Sequence, residues 1–211
     1  RRGRSAAGDH GRGGGMKINR EAQRRLPDIA MLVMDVDGVL TNGDIIYTDA
    51  GVEEKVFDVK DGLGLRVAVT GGLQVALVTG RLSSILQRRA RDLRIKTVLQ
   101  RVGDKEAAVR TLAEDSGLPL ERVAFMGDDL NDRTVMRVVG VAIAPADAVP
   151  DILAEADVVT DAPGGKGAAR QAVELILRAQ GKWDKAVERY LAGLAERDAY
   201  RRPAQTGGPP A

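Results

Sequence analysis

Two clusters of aspartates stand directly behind short apolar runs. Asp35 and Asp37 follow the run Met31 to Met34, lie two residues apart, and are succeeded at once by Gly38. A short apolar run bounded by turn residues fits a strand buried on both faces, and open α/β sheets place their chemistry at the carboxyl ends of such strands. Two carboxylates crowded there repel by roughly 4 kcal/mol at about 4 Å and an effective dielectric near 20, so they call for a cation or a shared proton. A metal is the simplest remedy. On its own, however, the Asp-x-Asp pair reads equally well as a capped turn.

The second cluster removes that balance. Asp128, Asp129 and Asp132 follow Gly127 behind the apolar run Val123 to Met126. If the two strands are neighbours in one parallel sheet, Asp35 and Asp128 reach one ion from adjacent tips. Hard oxygen ligands suit magnesium, which is typically held by one or two carboxylates beside a phosphate. Asp128 and Asp129 also precede a helical pattern of Leu130, Val135, Met136 and Val139, so capping alone would explain them.

Three accessory features stand where such carboxylates need help. Thr79 ends an apolar run and is followed by Gly80, so a hydroxyl and an amide can both donate to a phosphoryl oxygen. Lys105 falls in the first turn of a helix, where the helix dipole disfavours a cation unless an anion is near. The stretch Pro163 to Gly167 puts Gly164, Gly165 and Lys166 between a strand and a helix, which is anion-site chemistry but not a Walker loop.

The elements that must position these groups alternate along the chain. Strands are expected at 31–34, 75–78, 97–99, 123–126, 141–143 and 157–159. Helices are expected from Asp61 to 70, at 83–92, from about 103 to 117, and at 130–138, 148–154, 167–180 and 183–196. This order predicts an α/β fold, a single Rossmann-like doubly wound parallel sheet with helices on both faces. Asp44 to Thr48 and Glu54 to Asp58, around Asp49-Ala50-Gly51, read as a β-hairpin flap insertion. Along the last helix Trp183, Val187, Tyr190, Leu191 and Leu194 recur at helical spacing, which suits core or subunit packing.

Composition removes whole mechanisms. The 211 residues include no cysteine and one histidine, His10, so thiol nucleophiles, phosphohistidine routes and imidazole or thiolate zinc sites lack their residues. Residues 1–25 carry eight Lys/Arg against Asp9 and Glu21, a net of +6, which leaves −4 for the rest of a chain of net +2. A mildly acidic body does not suit a dedicated nucleic-acid binder. No apolar run is long enough to span a membrane, and residues 1–25 contain no signal-peptide core. The expected organisation is a disordered basic tail over 1–25, a single domain over 26–196 and a disordered tail over 197–211.

The motifs Asp35-Val-Asp37-Gly-Val-Leu-Thr41, Thr79, Lys105 and Gly127-Asp-Asp-Leu-Asn-Asp132 occur in the order found in the haloacid dehalogenase-like superfamily, which the chain resembles. Phe57 to Gly64, Val78 to Arg81, Gly164 to Ala168 and Gln180 to Asp184 are further similar to its capless KDO 8-phosphate phosphatase branch. The resemblance implies a cytoplasmic, tetrameric, magnesium-dependent phosphatase of a phosphorylated sugar acid. It implies Asp35 as nucleophile, Asp37 as acid and base, and Thr79 and Lys105 as phosphoryl ligands. Magnesium would lie on the Asp35 carboxylate, the Asp37 carbonyl and Asp128, with Asp129 and Asp132 in support. Lys60, Gly80, Arg81, Gly165 and Lys166 would meet the substrate.

Gaps of 44, 26 and 23 residues between Asp35, Thr79, Lys105 and Asp128 leave no room for a cap domain. Selection must then come from the flap or from a neighbouring subunit. Lys166 and Gln171 stand where the branch usually has arginine and glutamate, and lysine lacks the bidentate fork for a carboxylate. A sibling activity on an acylneuraminate 9-phosphate is therefore one rival, and a non-catalytic scaffold is another. Against the scaffold, repelling aspartates kept without a metal would cost stability.

Overall fold

Alternation within the apolar runs decides how the chain layers. Met31 and Val33 face one core while Leu32 and Met34 face the other, and Val123 and Phe125 part from Ala124 and Met126 in the same way. The computed structural model describes residues 15–51 and 53–201. Its first half contains β1 (Lys17–Ile18), α1 (Arg20–Arg25), β2 (Met31–Met34), β3 (Ile46–Tyr47), β4 (Glu53–Glu54), α2 (Val59–Thr70), β5 (Gln74–Val78), α3 (Ser84–Leu93) and β6 (Thr97–Leu99). Then follow α4 (Lys105–Asp115), β7 (Val123–Met126), α5 (Arg133–Met136), β8 (Val141–Ala144), α6 (Pro150–Glu155), β9 (Val158–Val159), α7 (Ala168–Ala179) and α8 (Trp183–Arg201).

Seven strands form one sheet in the order β1-β9-β8-β7-β2-β5-β6. All pairings are parallel except β1 on β9. Helices α1, α2, α3, α7 and α8 cover one face with residues such as Leu65, Leu86, Val173 and Ile176. The opposite face is covered by α4, α5 and α6 through Val109, Val135, Met136 and Ile152. Every residue of β2, β7 and β8 is buried, and each such Leu, Val, Ile or Met side chain contributes about 1.5–3 kcal/mol by leaving water. The doubly wound parallel sheet read from the sequence is therefore present. No separate unit interrupts the described residues between Asp35 and Asp128.

Several boundaries differ from expectation. Residues 17–25, assigned to a tail, are part of the fold. β1 pairs with β9, Ala22 is buried in the core, and Asn19 both caps α1 and donates to Asp157 Oδ1 at 2.9 Å. A two-residue strand and a six-residue helix rich in arginine leave too short a pattern to stand out from a charged tail. At the other end α8 runs on to Arg201, past the expected boundary at 196. The remaining parts of the expected tails, residues 1–14 and 202–211, lie outside the described residues.

The hairpin is also shorter than expected, with two rungs, Ile46 to Glu54 and Tyr47 to Glu53. Ile45, Tyr47 and Val56 are more than half exposed, so no second layer among the described residues extends the pairing. Asp58 rather than Asp61 caps α2, accepting from the N–H groups of Lys60 and Asp61. Along α8, Trp183 is buried between the guanidinium groups of Arg170 and Arg178, at 4.9 and 5.2 Å, whereas Leu191 and Leu194 face outward.

Because Asn19 caps α1 and joins it to Asp157, we expect Asn19→Ala to lower stability by about 1–2 kcal/mol in urea denaturation. A residue in an unstructured tail would leave the midpoint where it is.

Candidate active site

The register of the sheet brings the two aspartate clusters together. Met34 pairs with Leu77 on one side and with Met126 on the other. One residue further, Asp35 stands beside Gly127, and its N–H donates to the Met126 carbonyl at 2.9 Å. One carboxylate oxygen from each of Asp35, Asp128 and Asp132 lies within 4.8 Å of the others. Gly38 makes this approach possible. Its φ is +90°, and a Cβ there would sit 2.0 Å from Asp128 Oδ2.

Lys105 answers part of this charge. Its buried ammonium lies 3.0 Å from Asp35 Oδ1 and 2.6 Å from Asp132 Oδ1. Asp132 Oδ2 accepts the N–H groups of Asp128 and Asp129, at 3.0 and 3.4 Å, so both oxygens of Asp132 are committed. Asp128 has no such help, and its Oδ1 is buried without a hydrogen-bond partner. Burial first, and then the charge of Asp132, push the Asp35 carboxyl up to about 6 despite Lys105. Burial, followed by Asp35 and Asp132, pushes Asp128 up to about 7. Burial alone would lower the Lys105 ammonium, but Asp35 and Asp132 outweigh it and hold it above its ordinary value. An all-oxygen donor set with one buried oxygen left over fits a hard divalent cation.

The other residues singled out in the sequence divide into two groups. Thr79 is buried at the end of β5, and its Oγ1 accepts the Arg81 N–H at 3.2 Å. Gly80 follows, exposed, with no backbone hydrogen bond among the described residues. Arg81 reaches Asp37 Oδ2 at 3.9 Å. Asp129 is exposed and caps the short turn that follows, accepting the Leu130 N–H at 2.7 Å. Lys60 and Lys166 are exposed, and neither side chain makes an ion pair or hydrogen bond among the described residues. Gly165 is buried, and its N–H donates to the Val39 carbonyl at 2.9 Å. That amide is therefore taken within its own chain.

Two positions that contact predicted site residues or the glycine-rich loop escaped the sequence reading. Lys55 is ion-paired with Asp37, and its side chain is only 4% exposed. Glu53 and Lys55 are two apart on an extended segment and therefore share a face, which is the one signal that marks them. Asp61 is buried on α2 and accepts the N–H groups of Gly167 and Arg170, at 3.0 and 2.8 Å, at the start of α7. It ties the glycine-rich loop to the helix that follows the flap. The loop in turn presses on the turn after β2, where a Cβ on Gly164 would meet the Gly38 carbonyl at 1.8 Å.

The raised carboxyls fix the sign of a pH effect in metal-free protein. Both groups take up protons more readily folded than unfolded, where the ordinary value is 3.8. Their contribution to stability is complete below that value and lost as pH rises through the folded values. With chelator present, the melting temperature should fall between about pH 5 and pH 8, and millimolar magnesium should reverse most of that fall. A melting temperature that climbs across this range without metal would contradict the assignment.

Comparison with known proteins agrees with this geometry. Residues 97–170 match the model of the haloacid dehalogenase-like hydrolase family. The chain is 40% identical over 169 residues to the 3-deoxy-D-manno-octulosonate 8-phosphate phosphatase of Escherichia coli, a match that covers 80% of this chain and 90% of the relative. The crystal structure of the Yersinia pestis phosphatase of the same name superimposes with a TM-score of 0.77 at 41% identity, covering 78% of this chain and 89% of that one. That of Moraxella catarrhalis, in complex with magnesium, phosphate and KDO, gives a TM-score of 0.77 at 38% identity, covering 80% and 97%. With its acidic strand tips, its lysine and its parallel sheet, the chain belongs to the haloacid dehalogenase-like hydrolases.

Proposed function

We propose that the protein is a magnesium-dependent phosphatase that converts 3-deoxy-D-manno-octulosonate 8-phosphate to KDO and inorganic phosphate through an aspartyl-phosphate on Asp35. The observation that carries this reading is the buried, unpartnered Asp128 Oδ1 beside Asp35, in a chain whose relatives bear that enzyme's name. The Asp35 and Asp128 carboxylates and the Asp37 backbone carbonyl would hold the ion, with Asp129 and Asp132 as supports. When bound, magnesium neutralises the charge that gathers between these carboxylates and the phosphoryl oxygens.

Lys105 grips Asp35 by Oδ1 and fixes the rotation of the nucleophile. Asp35 forms a bond to phosphorus as the bond from phosphorus to the sugar oxygen breaks, and Asp37 hands a proton to that departing oxygen. In the second half Asp37 takes a proton from water, which attacks phosphorus and frees Asp35. The Thr79 hydroxyl, the Gly80 amide and Lys105 hold the transferred group. Such a division of labour suits a loose phosphoryl-transfer transition state, which is catalysed mainly by positioning and charge.

Arg81 belongs to this chain's own site, whereas Lys60 and Lys166 are free to serve the sugar acid bound by a neighbouring copy. We assign the exposed apolar side chains of the flap, Ile45, Ile46, Tyr47 and Val56, to the contacts of a homotetramer. Gly165 acts by letting the loop lie on Thr41, where a Cβ would come within 2.5 Å of backbone. No described helix is long and apolar enough to cross a membrane, and a cytoplasmic sugar-phosphate enzyme is the reading we adopt.

Steady-state phosphate release from KDO 8-phosphate and from an acylneuraminate 9-phosphate, with and without chelator, tests the proposal. Turnover should favour the first ester and stop with chelator. Asp35→Asn should lower it on the order of 10³-fold or more. Parental turnover in that variant would remove Asp35 from its role.

A further inference from the structure

We infer that Lys55 is the positioning residue of Asp37, fixing the rotation of the carboxyl group that faces the leaving sugar. The inference rests on the phosphatase reading above. Lys55 follows β4 in the flap, yet its ammonium is withdrawn from solvent and paired with Asp37 Oδ1, with Glu53 Oε1 at 3.7 Å. Arg81, from the turn after β5, completes the group. Its guanidinium lies 2.7 Å from Glu53 Oε1 and 3.2 Å from the Tyr47 hydroxyl, but 3.9 Å from Asp37 Oδ2, beyond hydrogen-bond reach. Two carboxylates and two cations thus balance across the junction between flap and sheet.

The asymmetry at Asp37 is what carries the argument. An ammonium has three donors and no acceptor, so an oxygen bonded to Lys55 cannot present a proton in that direction. Oδ1 is therefore held as an acceptor, and Oδ2 is the oxygen left to meet the leaving group. In the reaction the Oδ2–H bond breaks and the proton passes to the bridging oxygen. That oxygen keeps the electron pair of the broken phosphorus–oxygen bond, and Asp37 is left as a carboxylate whose Oδ1 is already paired. Without Lys55 both oxygens are free to carry the proton and the carboxyl is free to rotate, so only part of the population is aimed at the leaving group. Glu53 and Tyr47 act one step further out by holding Arg81 and the hairpin in place.

This assignment predicts a dependence on the leaving group. The ester of a sugar alcohol needs a proton as it departs, whereas the phenolate of p-nitrophenyl phosphate departs without one. Lys55→Met and Lys55→Gln should reduce kcat/KM, which the shared hydrolysis of the aspartyl-phosphate does not enter, by about 100-fold on the alkyl sugar phosphate that the parent hydrolyses fastest, and by no more than about threefold on p-nitrophenyl phosphate. Lys55→Arg, which keeps a donor-only cation, should recover much of the loss on the sugar ester. Circular dichroism melts accompany each variant, and the hydrolysis ratio of the two esters is read on whichever of the three is folded. Equal losses on both esters, or no loss on either, would overturn the role given to Lys55 while leaving the phosphatase reading intact. A parent inactive on both esters under magnesium would overturn the two together.

Discussion

One buried lysine faces three crowded carboxylates, and the rest of the site follows from that imbalance. Lys105 serves Asp35 and Asp132 but does not reach Asp128, so the deficit of positive charge is concentrated at a single oxygen, Asp128 Oδ1. Such a deficit is expensive to bury, and a protein that keeps it has left space for a cation. Asp132 makes the arrangement rigid. Its two oxygens bind a side chain and two backbone amides, so it locks Lys105 to the turn after β7 and leaves the two strand-tip aspartates as the adjustable partners.

The parallel sheet makes this imbalance reachable. β2 lies between β5 and β7, and the chain leaves it towards β5 on one side and returns to β7 on the other. This is the switch point at which loops diverge and a crevice opens at the carboxyl ends of strands. Asp35 and Thr79 arrive from neighbouring strands, Asp128 from the third, and Lys105 from the first turn of α4 after the sheet edge has been visited. Glycines then allow the loops to close in. Gly38 admits the Asp128 carboxylate, and Gly164 and Gly165 admit the turn after β2, so the floor of the site is backbone packed on backbone.

Much of this was legible because it depends on local pattern. The strands at 97–99 and 123–126 fall where the apolar runs put them, and the pairing of Asp35 with Asp128 follows from two similar strand ends. What escaped depends on contacts distant in sequence. Nothing about Lys17 and Ile18 marks a strand until β9 lies alongside, and the arginines of α1 resemble those of the preceding segment. Asp61 reads as a helix cap, yet its partners are amides more than 100 residues away. Lys55 lies in a hairpin with no motif around it, and only the fold back to Asp37 gives it a partner.

The flap leaves Ile46 and Val56 exposed, and ion pairs hold it to the sheet. An element packed by apolar burial keeps its place whatever charge is nearby, because that attraction is non-directional and indifferent to ionisation. Ion pairs behave differently, since they weaken or rearrange when another charge enters their surroundings. The acidic half of the flap's attachment includes Asp37 itself, to which the proposed function gives the proton exchange with the substrate. On that reading a phosphate ester brings negative charge beside a carboxylate that Lys55 and Arg81 already partner. The attachment of the flap and the surroundings of Asp37 thus depend on the same few charges.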